Sequence, residues 1–216
     1  MHRGGNAAAE FTLTMPIEIE KKYRLSLKDR RAIETHLRAL GSKPKPLEHE
    51  ENTIYCGGDL GFGLRALRLR RVNGEAILTL KERIPSDSPI KHQNENETRV
   101  KNADATDAIL RGIGFEPALV YEKRRTRWDV GRAKVVIDEL PYGLFMEIEA
   151  SEREIKRVEK LIAAENLPAV TDTYPAMTAQ LGKKNRKGII EARFAPDVRS
   201  QTAEVRRQKS DVKLRR

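Results

Sequence analysis

Residues 17–22 read Ile17-Glu18-Ile19-Glu20-Lys21-Lys22, an alternation of apolar and charged side chains that ends in two lysines. Because the side chains of a strand point alternately to its two faces, this stretch predicts a strand with one charged and one apolar face. The pattern returns in Leu67-Arg68-Leu69-Arg70 and in Met146-Glu147-Ile148-Glu149. Charged strand faces usually point to water. These faces are so dense in charge, and so mixed in sign, that the pattern favours an enclosed polar interior.

The remaining chain predicts further strands and the helices that would cover their apolar faces. Eight strands are expected at residues 17–25, 50–56, 63–71, 75–83, 91–101, 119–128, 134–139 and 144–150. Asn73-Gly74 indicates a two-residue hairpin, since both residues tolerate positive φ, and short links favour antiparallel pairing. Helix starts are predicted at Ser26 and Ser151, where capping boxes precede apolar periodicity, with shorter helices at 104–111 and after Thr173.

The expected fold class is therefore α+β: an eight-stranded antiparallel β-barrel, or tunnel, with a charged interior and helices packed on the outside. Removing one ion from water costs several kcal/mol, and total stability is only about 5–15 kcal/mol. Such an interior must be wet, cross-paired and open at its ends. Since apolar residues would stabilise a core equally well, ligand binding is the better reason for this lining.

The net charge of +10 is distributed unevenly along the 216 residues. The segment 183–216 holds 12 basic and 4 acidic residues, so its net charge is +8, whereas residues 15–182 carry only +2. We expect a disordered lead at 1–14, one tunnel domain at 15–182, and a basic flexible tail at 183–216. Truncation after Gly182 is expected to leave catalysis intact.

Cysteine content and hydropathy favour a cytoplasmic protein. Cys56 is the single cysteine, which excludes an intrachain disulfide framework and suits a reducing compartment. The sequence has no apolar run of about 20 residues, the length of a membrane span, and residues 1–14 lack the apolar core of a signal peptide. Met15-Pro16, just before the first strand, is an alternative start. The sequence leaves the oligomeric state open.

The acidic residues of the charged faces are candidate metal ligands. Carboxylates two residues apart on a strand suit a hard cation such as Mg²⁺ or Mn²⁺. The candidates are the pairs Glu18/Glu20 and Glu147/Glu149, whereas Glu95 and Glu97 form a third pair that either binds a cation or holds the arginines in place. The alternative interpretation, a solvated strand face, weakens because the Glu-x-Glu pair occurs twice, each time beside a helix cap.

The basic residues of the same faces are candidate phosphate ligands, because arginine binds phosphate oxygens with two N–H groups and lysine adds a compact charge. They are Lys22, Arg68, Arg70, Lys81, Lys123 and Arg125. A nucleic-acid surface is the alternative, but the body has little net charge and few aromatic residues for stacking. The tail is expected to touch other polyanions only non-specifically.

Several of these motifs, in order, resemble the CYTH superfamily, the triphosphate tunnel metalloenzymes. The first motif, Glu18-x-Glu20-x-Lys22, is similar to the ExExK signature of that family. The others are Leu67–Arg70, Leu78–Lys81, Tyr121–Arg125, Asp138–Leu140, Phe145–Glu149 and Tyr174–Leu181. The resemblance covers about residues 15–182 and implies an eight-stranded tunnel that binds a triphosphate with a divalent metal.

The resemblance also implies residue roles. Glu18, Glu20, Glu147 and Glu149 would bind or position metal, with Asp138, Glu95 and Glu97 as weaker candidates. The six basic residues would hold phosphates. In some hydrolytic relatives a lysine of the first motif and a tyrosine near the second strand orient water, and these positions match Lys22 and Tyr55. The acidic residue that often precedes this tyrosine is Asn52 here.

The function implied is metal-dependent phosphoryl transfer from a triphosphate to water, with tripolyphosphate, thiamine triphosphate or a nucleoside triphosphate such as ATP as substrate. The alternative is a class IV adenylyl cyclase that converts ATP into cyclic AMP and pyrophosphate. Both reactions use the same triphosphate motifs, so the motifs do not choose between them. A second alternative is a non-catalytic polyphosphate-binding module.

Overall fold

Eight long strands close into an antiparallel barrel in the computed structural model, which describes residues 17–58, 60, 64–85 and 87–195. The strands are β1 (Ile17–Leu25), β2 (Glu48–Cys56), β3 (Arg65–Val72), β4 (Glu75–Ile84), β5 (Ile90–Val100), β6 (Glu116–Val130), β7 (Ala133–Leu140) and β8 (Gly143–Glu149). Their order is β2-β3-β4-β5-β1-β8-β7-β6, and pairing of β6 with β2 closes the sheet. The predicted barrel is confirmed. The disordered lead predicted at 1–14 lies outside the described residues.

The described part of the chain has four helices, which pack on the outside or at one end of the barrel: α1 (Leu27–Ala39), α2 (Ala103–Gly112), α3 (Glu152–Leu161) and α4 (Tyr174–Leu181). Ser26 and Ser151 cap α1 and α3 as predicted, each accepting a hydrogen bond from a backbone N–H of the first turn. The apolar stripes of α1 and α3 bury Leu37 and Val158 in one cluster against the outer faces of β1, β7 and β8. α2 covers β3 through Leu110. None of the helices in the described part of the chain has the length and apolar character of a membrane span.

The barrel interior has a charged zone and an apolar zone. Four apolar residues share strand faces with the charged residues but lie toward one end, where α4 closes the barrel with Tyr174 and Met177; they are Ile54, Tyr121, Leu140 and Phe145. The expectation of a bore open at both ends is therefore wrong at this end. The physical reason is that the inward faces of β2, β6, β7 and β8 change from charged to apolar toward the end where α4 packs.

Two short strands outside the barrel, β9 (Lys183–Lys184) and β10 (Ile190–Ala192), correct the prediction of a flexible tail from Lys183. β10 pairs in parallel with residues 119–121 of β6, whereas β7 pairs with β6 only from Arg124 onward. β6 extends beyond the end of β7, and β10 pairs with the edge of β6 that would otherwise be free. An unpaired strand edge needs such a cover. Residues 196–216 of the predicted tail lie outside the described residues.

This geometry changes the expected effect of truncation. Removing residues after Gly182 would expose the β6 edge and remove Arg193, which bridges Glu51 of β2 and Glu122 of β6 at N–O distances of 2.6 and 2.9 Å. We expect a loss of about 2 kcal/mol or more in unfolding free energy, from lost backbone hydrogen bonds and buried contacts. Truncation after Ala195 is the matched control and should melt like the full chain. Equal thermal melts for both truncations would contradict this role of β10.

Candidate functional site

The strand register brings the predicted charged residues together inside the barrel. Across the β1–β8 pair, Glu20 lies opposite Glu149 and Lys22 lies opposite Glu147. The β4–β5 pair sets Lys81 opposite Glu95. On the other side, the β6–β7 pair sets Arg125 opposite Asp138, and the β2–β6 pair sets Lys123 opposite Glu50. Each basic residue thus lies beside an acidic one, as a charged interior requires.

Four basic side chains form what we call the anion clamp: Arg68, Arg70, Lys123 and Arg125. Arg125 is held by the buried carboxylate of Asp138, to which it donates from Nε at 2.7 Å and from Nη2 at 2.6 Å. Its Nη2 also lies 2.7 Å from Glu147 Oε2. Asp138 and Glu147 outweigh the effect of burial, which lowers the pKa of Arg125, and keep that pKa well above its ordinary value. The guanidinium is therefore charged and fixed in orientation.

Glu50 organises the rest of the anion clamp. Its Oε2 lies 3.1 Å from Arg70 Nε and 3.3 Å from Lys123 Nζ. Burial would raise the pKa of Glu50, but Lys123, Arg125 and Arg70 together hold it far below its ordinary value. Burial, and then Arg125, lower the pKa of Lys123 to about 8. The clamp consequently has more positive charge than its own carboxylates compensate, which favours a bound anion.

Arg68 has hydrogen-bonding capacity that the described residues leave unused. Its Nη2 donates to Thr79 Oγ1 at 3.1 Å, and the carboxylates of Glu95 and Glu97 lie 3.7 Å away, beyond hydrogen-bond distance. The buried Nε has no hydrogen-bond partner among the described residues. Buried donors are normally satisfied, so this N–H indicates the position of a ligand or ordered water.

Carboxylates of β1 and β8 crowd beside Arg125 of the anion clamp, in what we call the acidic cluster: Glu18, Glu20, Glu147 and Glu149. Burial and the charge of Glu147 raise the pKa of Glu20. Burial raises the pKa of Glu149 to about 7, and the neighbouring acids Glu147, Glu18 and Glu20 act in the same direction against Arg125. Like charges in a low-dielectric site raise carboxyl pKa values in this way. A divalent cation with oxygen ligands would relieve that repulsion, so the donor set fits Mg²⁺ or Mn²⁺.

Basic side chains hold part of the acidic cluster. Lys81 Nζ lies 2.6 Å from Glu18 Oε2 and 3.3 Å from Glu95 Oε2, and Lys91 Nζ lies 3.7 Å from Glu20. No group of three or more metal-ligating side chains within residues 17–58, 60, 64–85 and 87–195 is already drawn together around a cation position. Cation binding must therefore compete with these ion pairs.

Asp138 is a poor candidate for a metal ligand. Both of its oxygens accept hydrogen bonds from Arg125, and Oδ2 also accepts from Tyr174 Oη at 2.9 Å and from Lys123 at 3.4 Å. A carboxylate fully engaged by cations orients the anion clamp instead. Glu95 and Glu97 also lie among donors: Glu95 is 3.3 Å from Lys81 Nζ, and Glu97 accepts a hydrogen bond from Thr79 Oγ1 at 3.2 Å and lies 3.7 Å from Arg68.

Sequence reasoning missed Glu50, Asn52, Lys91 and Tyr174. Lys91 lies opposite Glu20 and shares the inward face of β5 with Glu95. Glu50 and Asn52 share the inward face of β2. Strand alternation was therefore the available signal for these three residues. Burial and the charge of Lys22 lower the pKa of Lys91 to about 8, which marks it as a further candidate anion ligand.

Tyr174 closes the floor of the charged zone. Its ring lies 3.9 Å from Lys22 Nζ, while its hydroxyl donates to Asp138. The carbonyl of Asp172 lies 3.3 Å from both Lys22 Nζ and Lys91 Nζ. The segment that begins α4 therefore links the two walls of the site.

The position of Tyr55 contradicts its predicted role beside Lys22 in orienting water. Its side chain lies on the outer face of β2 in the apolar cluster beneath α2, together with Leu67 and Leu69. Its hydroxyl donates to Asp107 Oδ1 of α2 at 2.6 Å. The reason is strand alternation: Asn52 and Ile54 point inward, so Tyr55 points outward. Tyr55 consequently has no access to a ligand inside the barrel.

Tyr55→Phe should therefore leave turnover of a triphosphate unchanged, because only the outer hydrogen bond to Asp107 is lost. We expect a decrease of about 1 kcal/mol in unfolding free energy for that lost bond. Steady-state kinetics and thermal melts of the purified variant would measure both. A drop in turnover of tenfold or more, without a change in melting, would restore the catalytic interpretation of Tyr55.

Comparison with known proteins agrees with this geometry. The sequence model of the CYTH domain matches residues 16–172. The search of curated proteins found no match. Among solved structures, the PH1012 protein of Pyrococcus horikoshii OT3 superposes with a TM-score of 0.63 at 23% identity, over 73% of this chain and 96% of its own.

Two further solved structures have names that mention an activity. A candidate adenylate cyclase from Vibrio parahaemolyticus gives a TM-score of 0.63 at 19% identity, over 76% of this chain and 99% of its own. HpAC1 from Hippeastrum, described as a candidate adenylyl cyclase with a dominant triphosphatase activity, gives 0.60 at 19% identity, over 76% and 95%. At these identities the likeness concerns the fold.

Proposed function

The chain belongs to the CYTH domain family, and from this premise we propose that it hydrolyses a triphosphate substrate with the help of a divalent cation. Members of this family act on triphosphates and depend on metal. One observation carries the proposal for this chain: the anion clamp and the acidic cluster lie side by side inside one closed barrel. The first is suited to phosphate oxygens and the second to a cation.

The charge balance of the interior supports metal dependence. Among the described residues that line the charged zone, the acidic side chains nearly equal the basic ones in number, so repulsion from the carboxylates offsets part of the attraction that the anion clamp exerts on a polyanion. A divalent cation held by the acidic cluster would offset that repulsion. Glu18, Glu20, Glu147 and Glu149 would hold Mg²⁺ or Mn²⁺, which would supply charge neutralisation at the phosphate oxygens.

The residues of this chain act mainly by binding and orientation. Arg125 and Arg70, oriented by Asp138 and Glu50, would each donate to phosphate oxygens, and Lys123 would add a point charge between them. Fixed positive groups stabilise the charge on the phosphoryl oxygens during transfer. In the overall reaction, water attacks the terminal phosphorus, the bond from that phosphorus to its bridging oxygen breaks, and the diphosphate leaves.

We favour hydrolysis over cyclisation because side chains of α4 fill the apolar zone of the barrel interior. The apolar residues inside the barrel already pack against Tyr174 and Met177 of α4, which leaves little apolar surface there for a nucleobase. The described interior therefore offers more to phosphates than to an adenine ring. The second candidate, synthesis of cyclic AMP, is supported by the name of the Vibrio parahaemolyticus protein, which shares only 19% identity.

Product analysis separates the candidates. The purified chain would be incubated with ATP, inorganic tripolyphosphate or thiamine triphosphate, with Mg²⁺, with Mn²⁺, or with EDTA. Release of orthophosphate that EDTA abolishes is the expected result. Cyclic AMP with pyrophosphate would replace our proposal by the cyclase, and binding without any product would leave a polyphosphate-binding module.

The pH dependence of substrate binding follows from the pKa of Lys123, about 8. Only the protonated lysine attracts phosphate, and a bound anion raises this pKa, so binding takes up a proton above pH 8. We therefore expect affinity for tripolyphosphate to be greater below pH 8 and to fall by up to about tenfold per pH unit above it. Equilibrium titrations between pH 7 and 9.5 would measure the decline.

Lys123→Arg is the matched variant for this measurement, since a guanidinium stays protonated throughout that range. The ratio of wild-type to variant affinity cancels the titration of the ligand itself. This ratio should fall as pH rises through 8. Any decline remaining in the variant belongs to Lys91, whose pKa is also about 8. A ratio that does not change with pH would contradict the assignment of Lys123.

A further inference from the structure

A second cavity lies outside the barrel, between α2 and the turn that joins β9 to β10. Its volume is about 490 Å³, within the range of about 300–1,000 Å³ typical of small-molecule pockets. Its lining includes five basic residues, which we call the outer basic groove: Arg71, Arg111, Arg186, Lys187 and Arg193. They come from β3, from α2 and from the segment after α4.

Three of the five basic residues already have carboxylate partners, whereas the two on the turn between β9 and β10 do not. The pairs are Arg71 with Glu51 and Asp104, Arg111 with Asp107 and Glu116, and Arg193 with Glu51, Glu122 and Glu191. Asp107 accepts hydrogen bonds from Tyr55 and from Arg111, and Glu191 accepts one from Asn185 and lies 3.6 Å from Arg193. Arg186 and Lys187 are exposed, and neither side chain forms an ion pair with the described residues. Positive charge therefore remains in excess along one side of the cavity.

The turn that carries these two residues has a fixed conformation. Asn185 Oδ1 accepts hydrogen bonds from the N–H groups of Lys187 and Ile189, at 2.9 and 3.1 Å. The backbone N–H of Asn185 donates to the carbonyl of Ile189, and Gly188 adopts φ +85°, which glycine tolerates. A preformed backbone lowers the entropy lost when a ligand is bound.

We propose that the outer basic groove is a second binding site for a polyphosphate group, supplied either by free inorganic tripolyphosphate or by a nucleotide. This inference goes beyond the proposed function and does not depend on turnover. The groove shares strands with the tunnel: Thr53 and Arg71 face the cavity, whereas their neighbours Asn52 and Arg70 face the interior. An occupant of the groove is thus positioned to influence the anion clamp.

The test measures binding without catalysis. Inorganic tripolyphosphate would be titrated calorimetrically into the full chain in EDTA at low ionic strength. The same titration would be made with Arg186→Gln/Lys187→Gln and with Lys156→Gln/Lys160→Gln, a control pair on the exposed face of α3 that loses the same charge. ATP replaces tripolyphosphate in a second arm, which distinguishes the free anion from the nucleotide.

We expect the groove variant to weaken binding by about tenfold, since two charge-assisted contacts are lost, and the control pair to bind like wild type. The control pair should also keep wild-type turnover. Three results would overturn the proposal: equal weakening by the control pair, unchanged binding in the groove variant, or preferred binding of a single-stranded oligonucleotide over both phosphates. Absence of hydrolysis would affect only the proposed function.

Discussion

Lys81→Met is expected to lower turnover of the preferred triphosphate by about 100-fold or more while the protein melts within about 2 °C of wild type. The Nζ of Lys81 lies inside the barrel between Glu18 and Glu95, and the side chain keeps 22% of its surface exposed. Removing one fixed donor to a transition-state oxygen typically costs 10²–10³ in rate. Because the pairs of Lys81 are partly solvated, their loss changes stability little.

Arg65→Met is the control for this variant, because Arg65 lies on the outer face of the same β3–β4 hairpin, paired with Glu82 at 2.8 Å. It removes a positive charge from the hairpin without touching the interior. Initial rates with saturating Mg²⁺ or Mn²⁺, together with thermal melts, give both quantities. If Lys81→Met retains activity, or if Arg65→Met loses as much, Lys81 is not a phosphate ligand.

Asp138→Asn should destabilise the fold by about 3–5 kcal/mol, because it removes the buried carboxylate that Arg125 and Lys123 share and leaves Glu147 and Glu50 to compensate two buried cations. For a domain of this size, that loss corresponds to a melting temperature lower by about 10 °C. Asp138 is fully buried and accepts hydrogen bonds from Arg125, Lys123 and Tyr174. Urea unfolding followed by circular dichroism would measure the change.

Asp129→Asn provides the comparison, since Asp129 forms an exposed ion pair with Lys45 at 2.9 Å. Exposed pairs contribute about 0–1 kcal/mol, so this variant should unfold like wild type. Wild-type stability in Asp138→Asn, combined with a raised requirement for Mn²⁺, would identify Asp138 as a metal ligand instead of a residue that positions the anion clamp.

Lys91 and Tyr55 illustrate how far the candidate site followed from the sequence. Strand alternation gives the face of a residue once one inward position of its strand is known. By this rule Lys91 lies on the inward face with Glu95, whereas Tyr55 lies on the outer face, away from Asn52. The prediction for Tyr55 rested on resemblance and overrode alternation, and it was wrong. The prediction for Lys91 was never made, although the same rule supported it.

The sequence by itself determined the barrel, its charged interior and the helix starts at Ser26 and Ser151, because side-chain alternation and capping are local properties that a short segment carries. Only the tertiary structure decided that Asp138 holds Arg125 and that β10 covers β6. These features depend on the register and relative length of strands far apart in the chain, which no local pattern encodes.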